Sequence, residues 1–225
     1  MELHNRKHPL LHRFLCAFLP ERCPYCDKVI VPDQIHCDKC KNLFSEEVYK
    51  SYAKGGFPCI SSTPYTDNFS DAIKRFKFSD RRQYAFSLAM TMAESIIREY
   101  SDIEFDYIAY VPMHHIKLKE RGYNQSQLLA KKLSEILDIP LADVLVKTRN
   151  NQPQHTIDNA AKRAENVKGV FKAVNRECIK DKTILLIDDI ITTGNTLGEC
   201  AKMLMKLKPR NIFCATFSYA VAKTS

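Results

Sequence analysis

Two adjacent carboxylates stand between an apolar run and a loop of small residues. Asp188 and Asp189 follow the apolar residues 184–187, which are typical of a buried strand in a parallel sheet. Open α/β sheets bind ligands at the carboxyl ends of such strands. The next residues are mostly small and hydroxylic, and they lead into a predicted helix: Thr192, Thr193, Gly194, Asn195 and Thr196. Backbone N–H groups and hydroxyls at the start of a helix can bind a phosphate dianion.

The two carboxylates predict the remainder of the ligand. Like charges repel, so Asp188 and Asp189 suit the vicinal hydroxyls of a ribose rather than its phosphate. A Mg²⁺ ion that bridges those hydroxyls and a pyrophosphate would complete the arrangement. The sequence therefore predicts a site for a pentose 5-phosphate, with the two aspartates as binding and catalytic residues. The alternative is a solvated strand end followed by an ordinary helix N-cap, which needs only one such residue.

Four of the nine cysteines form two close pairs, Cys23 with Cys26 and Cys37 with Cys40. Two intervening residues let both sulfurs of a tight turn face one point. Four thiolates then make the closed tetrahedral shell of a structural zinc site, without an open position for chemistry. The alternative, a redox C-x-x-C motif, requires a strand-to-helix junction, and neither pair has that context. We expect the other five cysteines to be small core residues.

Strands and helices alternate from residue 57 onward. The periodicity predicts helices over 68–78, 82–100, 124–137 and 196–207, and strands over 106–111, 183–187 and 211–219. This alternation predicts an α/β fold with a mainly parallel sheet. The glycine pair in residues 50–57 indicates a linker. We expect a leading amphipathic helix (1–22), a four-cysteine zinc finger with linker (23–56) and a ligand-binding α/β domain (57–225).

Charge and hydropathy narrow the class of protein. Lys and Arg outnumber Asp and Glu by 34 to 26, and a net charge of +8 favours phosphorylated or nucleic-acid partners. The alternative is a solvated basic surface without a polyanion partner. No run approaches the ~20 apolar residues of a membrane span. The apolar stretch 10–19 is broken by His12 and Arg13 and lacks a cleavage site, so we expect a cytoplasmic protein.

Cations and aromatic residues alternate near the end of the first predicted helix after residue 57. Lys74, Arg75 and Lys77 are interleaved with phenylalanines, as on surfaces that bind single-stranded nucleic acid. The alternative is that the aromatic residues belong to the core, because Phe69, Ile73 and Phe76 share one helix face.

Several motifs resemble known families. Residues 184–197 resemble the signature of the type I phosphoribosyltransferases: an apolar strand, two acidic residues and T-T-G-x-T. Further blocks resemble the ComF family, whose members join a cysteine-rich zinc finger to a phosphoribosyltransferase-like domain. These blocks are Tyr65 with 73–78, Val111-Pro112 with 121–125, and Arg149, Gln154, Arg163, Asn166, Val167 and Phe171. The resemblance extends from Cys23 to about Leu207.

The resemblance implies a sheet of the type I phosphoribosyltransferase kind and Mg²⁺-phosphoribosyl pyrophosphate (PRPP) as ligand. In phosphoribosyltransferases the turn after the strand that ends at Pro112 accepts pyrophosphate. This implies Lys117, Lys119 and Arg121 as cationic contacts, with Arg121 as a catalytic residue. The alternative is that these are surface cations. Residues 150–166 are long and polar enough to form a mobile lid, in which Arg163 would neutralise ligand charge or hold a carboxylate.

Two classes of function remain open. Resemblance to the ComF family implies a role in DNA uptake during natural transformation, together with an ATP-driven translocase of single-stranded DNA. The second class is an active phosphoribosyltransferase that transfers phosphoribose to a nucleobase or amine and releases pyrophosphate. Few residues follow the last predicted strand, so we expect the finger or the leading helix to supply any base-binding hood.

Overall fold

A computed structural model describes residues 20–31, 34–150, 168–175 and 179–220 of the 225-residue chain. The predicted leading helix and the predicted lid at 150–166 lie almost wholly outside the described residues. Within these residues, no helix is long and apolar enough to cross a membrane.

The described residues form a mixed α/β structure around a five-stranded sheet of order β1-β2-β7-β6-β3. Strand β1 pairs antiparallel with β2, and the other neighbours in this sheet are parallel. A second, antiparallel sheet pairs β4 with β5. The strands are β1 (Tyr49–Ala53), β2 (Phe57–Pro64), β3 (Tyr107–Tyr110), β4 (Leu145–Lys147), β5 (Phe171–Ala173), β6 (Thr183–Ile191) and β7 (Asn211–Tyr219). The helices are α1 (Asp38–Lys41), α2 (Asp67–Phe78), α3 (Tyr84–Glu99), α4 (His115–Arg121), α5 (Gln125–Leu137) and α6 (Asn195–Met205).

The interior strand β6 is covered on both of its faces. Its side chains are buried at nearly every position, as parallel strands between two helical layers require. Alternate residues belong to two different apolar clusters. Leu185 and Ile187 pack in the cluster that includes residues of α3 and α5, whereas Ile184 and Leu186 pack in the cluster that includes residues of α6. The predicted α/β fold with a mainly parallel sheet is confirmed.

The predicted linker at residues 50–57 is wrong. Residues Tyr49–Ala53 form strand β1, which pairs with β2 along its whole length from Tyr49–Ser61 to Ala53–Phe57. Gly55 and Gly56 adopt positive φ angles of 104° and 86° and so form the tight turn between the two strands. The glycine pair therefore marks a hairpin of the main sheet rather than a break between units. The wider division of the chain into three parts stays a prediction.

The cysteine-rich segment packs on the same core as α3. Tyr25 is 1% exposed, and the centroid of its ring lies 5.0 Å from that of Phe44 and 5.7 Å from that of Phe69. It also stacks on Phe217 of β7, at 6.5 Å. Among the scattered cysteines, Cys59, Cys200 and Cys214 are buried as predicted. Cys16 and Cys178 lie outside the described residues.

Candidate functional site

The two aspartates lie within strand β6, which continues past them to Ile191 instead of ending at residue 187 as predicted. Both are almost buried, at 9% and 8% exposure. The Oδ1 atom of Asp188 accepts hydrogen bonds from the Oγ of Ser126 at 2.7 Å and from the backbone N–H of Asp189 at 2.9 Å. The Oδ2 atom of Asp189 lies 2.7 Å from the Nζ of Lys77, at the end of α2. Helices α2 and α5, both distant from the aspartates in sequence, therefore hold the pair in place.

Burial makes ionisation of the first carboxylate unfavourable. Burial, together with the charge of Asp189, raises the pKa of Asp188 from 3.8 to about 7, although the Ser126 hydroxyl and the Lys77 ammonium oppose this rise. The fold thus favours the protonated form of this carboxyl group far more than water does. A ligand that brings hydrogen-bond donors or a cation to Asp188 would favour the ionised form.

The predicted phosphate loop shares one concavity with Asp188. This concavity is open to solvent, and it is lined by Asp188, Ile190, Ile191, Thr192, Gly194, Asn195, Thr196 and Leu197. Helix α6 begins at Asn195, so the positive end of its dipole faces this loop. The Nδ2 of Asn195 donates to the Oγ1 of Thr193 at 2.8 Å, which orders the loop. This geometry suits a phosphate dianion beside a carboxylate-bound pentose.

The hairpin turn between β1 and β2 supports the loop from behind. The N–H of Lys54 donates to the carbonyl oxygen of Gly194 at 3.1 Å. Gly194 has a φ of +68°, and a Cβ there would lie 2.9 Å from the Cα of Ala53. A Cβ on Gly198 would lie only 2.2 Å from the carbonyl oxygen of Lys54. Both glycines are therefore required by the close approach of two backbones.

Cationic side chains gather on the side of the site that faces α4. Burial and the nearby Lys117 lower the pKa of Lys147 to about 8, while Cys200 and Asp188 oppose this. Burial and Arg121 lower the pKa of Lys117 itself. His114 is buried, caps α4 by accepting from the N–H of Ile116, and has a pKa lowered by burial, His115 and the two lysines. Cations that depress one another's pKa are the usual environment for an anion.

Sequence reasoning missed two members of this group, Lys147 and His114. The signal for Lys147 was its place at the carboxyl end of a short strand, β4. The signal for His114 was its place two residues after the strand-ending Pro112.

Arg121, predicted as a catalytic residue, lies at the end of α4. Its Nη1 donates to the Oε1 of Gln125 at 2.7 Å, and its guanidinium carbon lies 5.0 Å from the ring centroid of Phe78. The structure thus places Arg121 between α2, α4 and α5. Its role in catalysis stays a prediction.

The three residues predicted to bind nucleic acid have three different surroundings. Lys74 is exposed and pairs with Asp71 at 3.0 Å. The Nη1 of Arg75 donates to the carbonyl oxygen of Pro24 at 2.9 Å, in the cysteine-rich segment. Lys77 binds Asp189. The aromatic residues on the inner face of α2 are core, as the alternative held: Phe69, Ile73 and Phe76 are 4%, 1% and 0% exposed.

The four paired cysteines form a single cluster that could hold a metal ion such as zinc. All four Sγ atoms lie within 4.8 Å of one another, and those of Cys26 and Cys37 are 3.6 Å apart. Sulfurs bound to zinc at about 2.3 Å in a tetrahedron are about 3.8 Å apart, so the donor set fits this ion. Helix α1 carries Cys40 into the cluster, opposite the turn that holds Cys23.

The chain is similar to known proteins along most of its length. Residues 124–225 match the family model described as phosphoribosyl transferase domain. The chain is 31% identical to Competence protein F of Haemophilus influenzae over 193 residues, which covers 82% of this chain and 80% of that protein. It is 26% identical to DNA utilization protein YhgH of Escherichia coli K12, covering 82% and 78% of the two chains. It is 27% identical to Competence protein ComFC of Bacillus subtilis 168, covering 82% and 71%. Similarity of this degree along most of both chains shows that the protein belongs to the ComF family.

Proposed function

We propose that the protein binds Mg²⁺-PRPP or a related ribose 5-phosphate and acts in the uptake of single-stranded DNA. The observation that carries the ligand proposal is the shared concavity of Asp188 and the loop 192–196. A loop suited to phosphate next to carboxylates suited to hydroxyls fits a phosphorylated pentose. It fits this ligand better than it fits a free phosphate or an unphosphorylated sugar.

Each part of the ligand has a matching part of the site. The 5-phosphate would lie on the loop, where N–H groups and hydroxyls meet the start of α6. The ribose hydroxyls would donate to Asp188 and Asp189. The pyrophosphate would lie toward Lys117 and Lys147, whose pKa values are lowered by burial and by the charge of a neighbouring cation. When bound, Mg²⁺ would neutralise pyrophosphate charge beside the aspartates.

Lys77 has a defined part in this proposal. Because its ammonium lies 2.7 Å from the Oδ2 of Asp189, it pairs with that carboxylate and fixes its position. A ligand that uses the Oδ2 of Asp189 would have to displace the ammonium of Lys77. It could do so by bringing a hydroxyl donor or a cation to that oxygen.

The role in DNA uptake is supported by the names of the relatives, two of which are competence proteins and one a DNA utilization protein. The net charge of +8 suits a phosphate-rich partner. We therefore propose that the protein works on single-stranded DNA beside an ATP-driven translocase. The four cysteines would bind a structural zinc ion, because four thiolates leave no position for a water ligand.

A second candidate is transfer of phosphoribose to a nucleobase or amine. The observation that favours it is the pair of cations Lys117 and Lys147, which would stabilise the charge of departing pyrophosphate. Pyrophosphate release in the presence of candidate acceptors would distinguish this activity from binding alone.

The test of the ligand proposal is calorimetric titration of Mg²⁺-PRPP into three proteins. We expect the parent to bind and the double variant Asp188→Asn, Asp189→Asn to lose at least about tenfold in affinity, since hydrogen bonds to charged groups contribute about 1.5–3 kcal/mol each. Asp106→Asn is the matched control. It alters a carboxylate at the opposite end of β6, where Asp106 accepts from the N–H of Thr183 at 2.8 Å. Failure of the parent to bind at millimolar ligand would refute the proposal.

A further inference from the structure

The ends of α2 and α4 meet on one surface, although about 40 residues separate them in the chain. The guanidinium of Arg121 lies 5.0 Å from the ring centroid of Phe78, and that of Arg82 lies 5.0 Å from the ring centroid of Tyr123. The hydroxyl of Tyr123 donates to the carbonyl oxygen of Phe76 and so ties the two segments together. Two basic segments that are distant in the chain therefore share one surface.

The charge of this surface is one-sided. Residues 74–82 and 117–122 contain only two acidic residues, Asp80 and Glu120. Against these stand eight cations: Lys74, Arg75, Lys77, Arg81, Arg82, Lys117, Lys119 and Arg121. Arg75 and Lys77 are engaged by Pro24 and Asp189. The exposed Lys74 and Arg82 form surface ion pairs with Asp71 and Asp80, and Lys119 is exposed as well.

Phe78 is the unusual member of the surface. It is 69% exposed, whereas Phe76, two residues earlier on the same helix, is fully buried. A single exposed apolar residue is ordinary on a protein surface. Here, however, the exposed ring is contacted by a guanidinium and lies among cations, which is the combination that binds bases and phosphates together.

We infer that Phe78 is the stacking residue of a binding site for single-stranded nucleic acid, with Arg121 beside the base and Arg82 and Lys119 contacting phosphates. We call these four residues the Phe78 platform. The inference rests on the proposed role with single-stranded DNA. It assigns DNA binding to residues other than the predicted Lys74, Arg75 and Lys77, because Arg75 and Lys77 already contact Pro24 and Asp189. Every base has a face that can stack, so the site is tolerant of sequence.

The platform is connected to the proposed pentose site through the last turn of α2. Lys77, which binds Asp189, directly precedes Phe78 in the chain. A strand stacked on Phe78 would therefore run close to the paired aspartates. Its phosphodiesters would be repelled from the two aspartates and attracted by the cations of α4.

The test is fluorescence anisotropy with a 5′-labelled 20-nucleotide oligo(dT) at 50 and 200 mM salt. We expect Phe78→Ala to weaken binding about 5- to 100-fold at both salt concentrations, because it removes stacking and no charge. Phe78→Tyr should restore most of the affinity. Lys119→Ala should instead lower the log–log salt slope by about one. Tyr52→Ala is the matched control, since it removes a 71% exposed aromatic residue from β1, and it should bind like the parent.

The outcomes separate the inference from the proposed function. Equal binding by the parent and Phe78→Ala would overturn the platform while leaving the DNA role in place. Absence of binding by the parent at 50 mM salt would overturn both. A 20-base-pair duplex should bind with an affinity that Phe78→Ala does not change, because paired bases are not available to stack. A loss on duplex equal to that on the single strand would contradict base stacking.

Discussion

Replacing Asp188 with asparagine should make the protein more stable at alkaline pH while weakening the proposed binding of Mg²⁺-PRPP. Asparagine keeps the size of the side chain and an Oδ1 atom that can accept from Ser126 and from the N–H of Asp189. What it removes is the negative charge of a buried group beside a second carboxylate. The native residue is therefore expected to reduce stability wherever it is ionised.

The sign and size of the stability change follow from the pKa of Asp188, which rises from 3.8 in the unfolded chain to about 7 in the fold. Between these values the folded state holds a proton that the unfolded state has lost. The contribution of Asp188 to stability consequently falls as pH rises toward 7, and above 7 the full penalty is present. At about 1.4 kcal/mol per pH unit the limit is about 4 kcal/mol. We expect Asp188→Asn to be stabilised by about 2–4 kcal/mol at pH 8 and to match the parent near pH 4.

Urea unfolding of both proteins between pH 4 and pH 9 measures this difference. Asp106→Asn is again the control, because hydrogen bonds from Lys182 and from the N–H of Thr183 lower the pKa of Asp106. That variant should have the opposite dependence: less stable than the parent at neutral pH, and equal to it once pH falls below the range in which Asp106 ionises. A stability difference for Asp188→Asn that does not change with pH would refute the reasoning.

Two further variants test the supports of the site. Gly198→Ala would place a Cβ 2.2 Å from the carbonyl oxygen of Lys54, so we expect unfolding in urea to show a loss of about 1–3 kcal/mol, together with weaker Mg²⁺-PRPP binding in calorimetry. Gly56 lies in the β1–β2 turn that also contains Lys54, and a Cβ there would have no atom within 4 Å. Gly56→Ala should therefore lose only the stability that its positive φ costs, and it should leave ligand affinity intact. Cys37→Ser should lose bound zinc and melt at a lower temperature; complete metal loss with an unchanged melting temperature would contradict a structural role.

The parts of the fold that sequence reasoning predicted are those with local signals. The continuous apolar run of β6 and the helical periodicity of 124–137, observed as α5 (Gln125–Leu137), depend on neighbouring residues alone. Strand β1 was missed because two of its side chains are exposed, two are half-exposed and only Ala53 is buried. Its place in the sheet depends on pairing with β2 and on contact of its turn with the glycines near residue 194. Neither contact produces a recognisable hydrophobic pattern in the five residues of β1.

The same division applies to the site. Asp188 and the phosphate loop lie in one continuous stretch, so residue types and order were enough to predict that they act together. Ser126, Lys77 and Lys147 reach the site from three other elements. Lys77 was noticed for its charge but was interpreted as a nucleic-acid contact, since nothing in the sequence indicates that its ammonium lies on Asp189. Contacts that join distant segments require the topology of the sheet.

Helix α2 connects the three regions to which function is attributed. Arg75 holds the cysteine-rich segment through Pro24, Lys77 holds Asp189, and Phe78 stacks with Arg121. All three lie in the last turn, whose position is fixed because Phe76 is fully buried and its carbonyl accepts from Tyr123. The cysteine cluster, the proposed pentose site and the proposed Phe78 platform are thus joined by one turn of helix. A change that displaces this turn should alter all three regions together, so loss of order in the cysteine-rich segment should also weaken the proposed ligand binding.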